Sequence, residues 1–247
     1  MMIRRLKKFL LWGMLTLGTG LTVLIILLTT PSILYANHTA IGNIEVYHSQ
    51  PLPAELRTTI ESALERVSSS EIYDANMKHD LCLNDGSKYP ALVESVLGSD
   101  VFAAFANKVV VLGKYEEAGK FRQWGQTLSF DQFLAHGLMH NYQYRYHGFF
   151  GANPLGNHVQ WKWEGYVDYQ VIGKHYDMDD LMTALESPKG NFDWLNFKNG
   201  ESTIKMHVKY LTLVKYALES KGWSYQDLIA SKVSMEDLEL EMNQGLR

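Results

Sequence analysis

The longest apolar run in the chain is also its first. Residues 9–30 carry no charge, and as a helix they would extend about 33 Å, enough to cross a bilayer. Beyond it the pattern breaks into short segments. Ile44-Glu45-Val46-Tyr47 alternates and predicts a strand. After Pro53, residues Leu56, Ile60, Ala63, Leu64 and Val67 fall on one helical stripe, which Ser68-Ser69-Ser70 ends. Asp80-Leu81-Cys82-Leu83 predicts a second strand, stopped by Asn84-Asp85-Gly86. A helix over 90–97 precedes the strongest strand signal, Lys108-Val109-Val110-Val111-Leu112, closed by Gly113. Helices are expected over 128–144, 159–173 and 202–220, with a loop-rich stretch at 176–200 and two short helices at the end. Helices mixed with a few strands, without regular strand–helix–strand alternation, predict an α+β class. No repeat or low-complexity segment interrupts this order.

Charge orients the apolar run. Arg4, Arg5, Lys7 and Lys8 precede it, and such clusters stay in the cytoplasm. The expected organisation is a cytoplasmic basic segment at 1–8, a transmembrane anchor at 9–30, a linker at 31–43 and one extracytoplasmic domain, periplasmic or extracellular, at 44–247. A cleaved signal peptide is the rival. Its apolar core is usually only about 7–15 residues, and Leu34-Tyr35-Ala36 is a poor cleavage site. Both readings export the domain. Asn37-His38-Thr39 is a glycosylation sequon with meaning only in a eukaryotic host. With 46% hydrophobic and 20% charged residues the chain has the balance of a folded protein. A net charge of −4 with no basic stripe argues against nucleic acid as a partner. Cys82 is the single cysteine, which excludes an internal disulfide and thiolate metal sites and fits a buried small hydrophobe.

The chemistry concentrates in two motifs. In Ala135-His136-Gly137-Leu138-Met139-His140-Asn141-Tyr142-Gln143 the two histidines are one helical turn apart, so both imidazoles can face one metal ion. In Trp161-Lys162-Trp163-Glu164-Gly165-Tyr166-Val167-Asp168-Tyr169, Glu164 could add an oxygen ligand. Asp168, one turn on, could accept the free ring N–H of a ligating histidine and fix its tautomer. Bland alternatives exist for each feature. Histidine pairs at this spacing occur on many helices, Asp168 alone could be an exposed carboxylate, and Tyr166 and Tyr169 suit packing. His207 and Tyr210 fit an amphipathic helix, and His147, His158 and His175 lie near turns and are expected to be solvated. Trp161, Trp163, Trp194 and Trp223 suit a core or the lining of an apolar pocket.

The two motifs together resemble the gluzincin branch of the zincin metallopeptidases, which carries His-Glu-x-x-His on one helix and a glutamate ligand on a second. The resemblance spans roughly 44–220, although its specific part is the two short motifs. It implies a zincin-like fold, a small sheet with two ligand-bearing helices beneath it and the strand at 109–112 bordering the substrate cleft. It implies zinc held by His136, His140 and Glu164, with Asp168 supporting a ligand and His207 or Tyr210 steadying an oxyanion. The departure is Gly137, where the family has the glutamate that acts as general base. Such acid–base help is worth roughly 10²–10⁴ in rate. A mid-helix glycine costs about 1 kcal/mol against alanine, so helix stability does not explain it. Glu116 or Glu117, after the cleft strand, could in principle replace the base. The expectation is a membrane-anchored zinc metallopeptidase homologue, catalytically attenuated or inactive, whose substrate or ligand is a peptide or protein. One alternative is a non-catalytic cell-surface module that holds a peptide or envelope component, and another is a structural domain without metal.

Overall fold

Short alternating strands build a small mixed sheet. The computed structural model describes residues 2–98, 102–116, 119–123 and 126–245. It orders the sheet as β1 (Asn37–Ile41), β2 (Ile44–His48), β3 (His79–Cys82), β5 (Lys108–Val111) and β4 (Phe102–Phe105). β2, β3 and β5 run parallel, with β1 and β4 as antiparallel edges. Parallel neighbours need crossovers, supplied by α2 (Leu56–Val67) and α3 (Tyr89–Leu97). Side-chain alternation divides the interior in two. Val46, Leu81, Val109 and Val111 enter the main core with α2 and with α4 (Phe130–His147). Tyr47, Cys82 and Val110 enter a smaller core with Tyr35, Tyr89 and Val93.

A three-stranded meander of β6 (Lys114–Glu116), β7 (Lys120–Gln123) and β8 (Gln126–Ser129) leads into α4. α5 (Gln160–Val171) packs on α4 and, most extensively, on α7 (Lys205–Lys215). Between them lie α6 (Met178–Leu185) and the hairpin of β9 (Trp194–Asn196) and β10 (Ser202–Ile204); α8 (Tyr225–Ala230) and α9 (Met235–Gly245) close the chain. The class is α+β. At the N-terminus, α1 (Met2–Thr29) contains an unburied window, Trp12–Thr29, with mean hydropathy 1.8. It is long and apolar enough to be a membrane anchor or a signal sequence. The side chains of Arg4, Arg5, Lys7 and Lys8, and all of Glu117, lie outside the described residues.

Four expectations need correction. Residues 31–43 are not a linker: Pro31 and Tyr35 are buried and β1 pairs with β2. Four of the five β1 residues are exposed, so no alternation marks this edge strand. The helix expected over 128–144 starts later, because its first two positions complete β8. The helix expected from 202 begins at Lys205. Gln132 Nε2 donates to Ser202 O (2.7 Å) and Ser202 N–H donates to Gln132 Oε1 (3.0 Å), which holds that backbone in β10. The stretch 176–200 contains α6, capped by Asp177 accepting from Asp180 N–H, and β9. β4, β6 and β7 were not anticipated, since three or four residues carry too little period to read.

His79, in β3, is 1% exposed, and its Nδ1 lies 3.2 Å from Asn141 Nδ2. Burial, opposed weakly by Asp74, holds its pKa down to about 4. The unfolded chain titrates at about 6.5, so protonation favours unfolding. The stability involved is complete above that value and is lost as pH falls toward 4. It amounts to about 3 kcal/mol. Urea midpoints measured between pH 7 and 4 should fall in the parent, and by correspondingly less in His79→Gln.

Candidate metal centre

α4 is fixed in place before its histidines are reached. Asp131 in its first turn complements the helix dipole. Arg66 of α2 donates to Asp131 Oδ2 (2.9 Å) and Val171 O (3.1 Å) and pairs with Glu201. One guanidinium thereby joins α2, α4, α5 and the approach to β10. On α4, the His136 and His140 rings stand 4.8 Å apart. Their Nε2 atoms are 3.1 Å apart, and Glu164 Oε2 of α5 lies 3.4 Å from the first and 3.3 Å from the second. Ligand atoms on a tetrahedral ion bound at about 2.0–2.2 Å stand about 3.3–3.5 Å apart. The triangle therefore fits one divalent ion, and these three residues could hold it.

The ring atoms that face away are held as well. His136 Nδ1 lies 3.2 Å from Asp168 Oδ1, and His207 Nδ1 of α7 lies 2.7 Å from Asp168 Oδ2. His140 Nδ1 lies 2.9 Å from Gln143 Oε1, whose Nε2 donates to Trp163 O at 3.0 Å. Both Nδ1 positions are thus donors and both Nε2 atoms face the shared point. Burial alone would lower the His136 pKa, but Asp168 and Glu164 outweigh it and push it up to about 10. Burial would raise Glu164, but His140 and His136 hold it well below the carboxylate range. Asp168 is held low against burial by His207 and His136, and Asp168 raises His207 against the same effect. A cation entering the triangle displaces the His136 proton, so metal binding and proton release are coupled.

Glycines beside the ligands set two close approaches. A Cβ on Gly137 would lie 2.7 Å from Val109 Cγ1 and 3.1 Å from Cγ2. Both methyls of a β-branched strand residue sit over the glycine, so rotation cannot clear them. α4 rests on β5 at the position where the resemblance calls for glutamate. Helix stability does not explain the glycine, and this close packing does. A Cβ on Gly165 would meet Tyr210 O at 2.8 Å and Val214 Cγ2 at 2.9 Å, and this contact of α5 with α7 brings His207 to Asp168.

The triangle opens on a cleft of about 550 Å³ walled by Phe102, Phe133, Trp163, Trp194, Ile204 and Met206. Its carboxylates, among the described residues, are Glu164 and Asp168, and both are partnered. Glu116 pairs with Arg122 and lies outside the lining. His136, His140, Glu164, Asp168 and His207 come together at the cleft, while Tyr210 packs beside His207 without lining it. His147 and His158 are half-buried and partnered rather than free in solvent. His147 Nε2 meets Tyr225 OH (2.9 Å), and His158 bonds Gly151 O (2.7 Å) and stacks on Trp163 (5.0 Å). His175 is exposed but paired with Glu201. Gln143 is the supporting residue that the sequence reading gave no role. Its signal was its position three residues after His140, on the same helical face. No protein-family model, curated protein or solved structure matches the chain.

Two measurements test this geometry. Asp168→Asn and Gln143→Ala should each weaken divalent-metal affinity by about 10–100-fold in a competition titration; unchanged affinity in both would reduce their contacts to packing. Gly137→Ala should destabilise by about 1–3 kcal/mol through overpacking, despite alanine's helix preference. A double-mutant cycle with Val109→Ala should return most of that loss, and additive effects would remove the close-approach argument.

Proposed function

We propose that this chain is a membrane-anchored homologue of the gluzincin zinc metallopeptidases, zinc-loaded and catalytically attenuated or inactive. The observation that carries the reading is the near-equilateral triangle of His136 Nε2, His140 Nε2 and Glu164 Oε2, with sides of 3.1, 3.3 and 3.4 Å. Two imidazole nitrogens and one carboxylate oxygen are a donor set suited to zinc with an open position. When bound, zinc supplies Lewis-acid polarisation of a carbonyl and a lowered pKa for water. The chain's own residues do the rest. Asp168 and Gln143 keep the ligand rings in the Nδ1–H tautomer. His207 lines the cleft with Nδ1 committed to Asp168; in the protonated form that Asp168 favours, its Nε2–H can donate toward negative charge developing on a carbonyl oxygen. The aromatic and aliphatic side chains of the cleft give a peptide segment an apolar surface to pack on, and Gln132, Asn153 and Gln160 give it polar partners.

The missing part is a proton acceptor. Gly137 offers none, and the two cleft carboxylates are occupied as ligand and as support. This favours attenuation. The seating of Gly137 on Val109 also supports a second reading, a cell-surface module that holds a peptide or envelope component without cutting it, because the helix has settled where a base would stand.

Elemental analysis should find one zinc per chain, removable by chelator. Hydrolysis of a mixed peptide library should be slower than that of base-containing metallopeptidases by about 10²–10⁴. Reinstating the base needs room, so the informative variant is Val109→Ala with Gly137→Glu. Chelator-sensitive hydrolysis rising by about 10²–10⁴ over the parent supports an eroded peptidase. A folded, zinc-loaded and inert double variant supports the binding module. A parent already as fast as ordinary metallopeptidases overturns both.

A further inference from the structure

The junction between α1 and the domain is built as a packed interface. Leu28 O belongs to the last turn of α1, whose carbonyls have no partner within the helix. Tyr89 OH of α3 donates to it at 2.6 Å. Ser87 Oγ donates to Leu34 O (2.9 Å) and Tyr35 OH donates to Leu83 O (2.7 Å). The Tyr35 ring is 7% exposed and lies 5.9 Å from Tyr47 and 5.8 Å from Tyr89. Leu28 and Leu34 pack on the smaller core of Cys82, Tyr89, Val93 and Val110. Chain removal up to residue 36 would take away Leu28, Leu34 and Tyr35 together. It would leave Tyr89 and Cys82, now fully buried, facing water.

We infer that α1 is retained in the mature protein and docked on the domain, its end completing the smaller core, so that the cleft has one fixed orientation to the bilayer. The inference rests on reading α1 as an anchor. A loose tether would not need three hydrogen bonds and a buried tyrosine at its end. A cleaved signal would not supply part of a folded core. The coupling to the site is short. On β5, Val110 faces this core and its neighbour Val109 faces Gly137 between the two histidines. The partner surface is therefore a lipid bilayer held against one side of the sheet, with the metal helix on the other.

Cys82 is a native reporter, being the single cysteine and 0% exposed in this core. The test uses the full chain in membranes, its intact mass and the rate of Cys82 alkylation by a maleimide. The mass should be that of the whole chain, 28.2 kDa. Tyr35→Ala should be alkylated at least about tenfold faster than the parent, since losing the ring opens the core locally. Tyr35→Phe, which keeps the ring, should stay close to the parent. Unchanged far-UV dichroism and zinc content across the set show that the main domain is intact. If Tyr35→Ala unfolds, Leu28→Ala takes its place with the same expectation. A shortened mass overturns both the anchor and the docking. Full mass with equal alkylation in parent and variants overturns the docking alone. A parent without zinc counts against the proposed metal site and leaves this inference standing.

Discussion

The carboxylate of Asp168 holds the site together. It is 2% exposed, and its two oxygens meet His136 on α4 and His207 on α7. A buried carboxylate without partners would protonate or force its way to water. Here it stays ionised because an imidazole faces each oxygen, and its own helix, α5, also carries Glu164. One residue thereby fixes three helices relative to each other. Gln143 adds a second tie between α4 and α5 through Trp163 O. Arg66 braces the far end of the same helices through Asp131 and Val171 O. The ligand atoms converge because the polar groups behind them leave the helices little room to slide.

Close packing makes that network possible and also limits its chemistry. α7 reaches Asp168 because Gly165 admits Tyr210 O, and α4 lies low on the sheet because Gly137 admits Val109. At Gly165 the glycine brings in a supporting histidine. At Gly137 it lets α4 lie directly against β5. On the proposed reading the arrangement is strong in binding and weak in proton transfer: two oriented imidazoles, an ionised glutamate and an apolar cleft, with both lining carboxylates already engaged. The same sheet carries a second core on its other side, where Tyr89 of α3 receives the end of α1. β5 lies between α3, which meets the end of the apolar helix, and α4, which bears the histidines.

Much of this was legible locally. The apolar run, the stripe of α2, the alternation of β2 and the valine run of β5 each carry a full period within one segment. The His-x-x-x-His and Glu-x-x-x-Asp spacings fix which side chains share a helical face, and the resemblance implied that the two faces meet in a ligand triangle supported by Asp168. The edge strand β1, the strands β4, β6 and β7, and the hairpin of β9 and β10 could not. They are short and partly exposed, and the contact that holds β10 comes from a residue distant in sequence, Gln132 on Ser202. α4 and α5 are buried on nearly all sides, so a polar face never marks their ends sharply.

The amino-acid sequence by itself determined the periods, the residue types and the spacing along each helix, because these depend on neighbours within about one turn. It therefore determined the α+β class, the apolar N-terminal helix and the donor set His136, His140 and Glu164. Only the tertiary structure decided what stands against each face. The sequence shows a glycine directly after the first histidine of α4. The contact with Val109 showed why a glycine is there, a distance between two elements that no local pattern encodes. The same holds for His207 beside Asp168 and for Tyr35 inside the smaller core. Each depends on how closely separate elements approach, and that is fixed by packing across the whole chain.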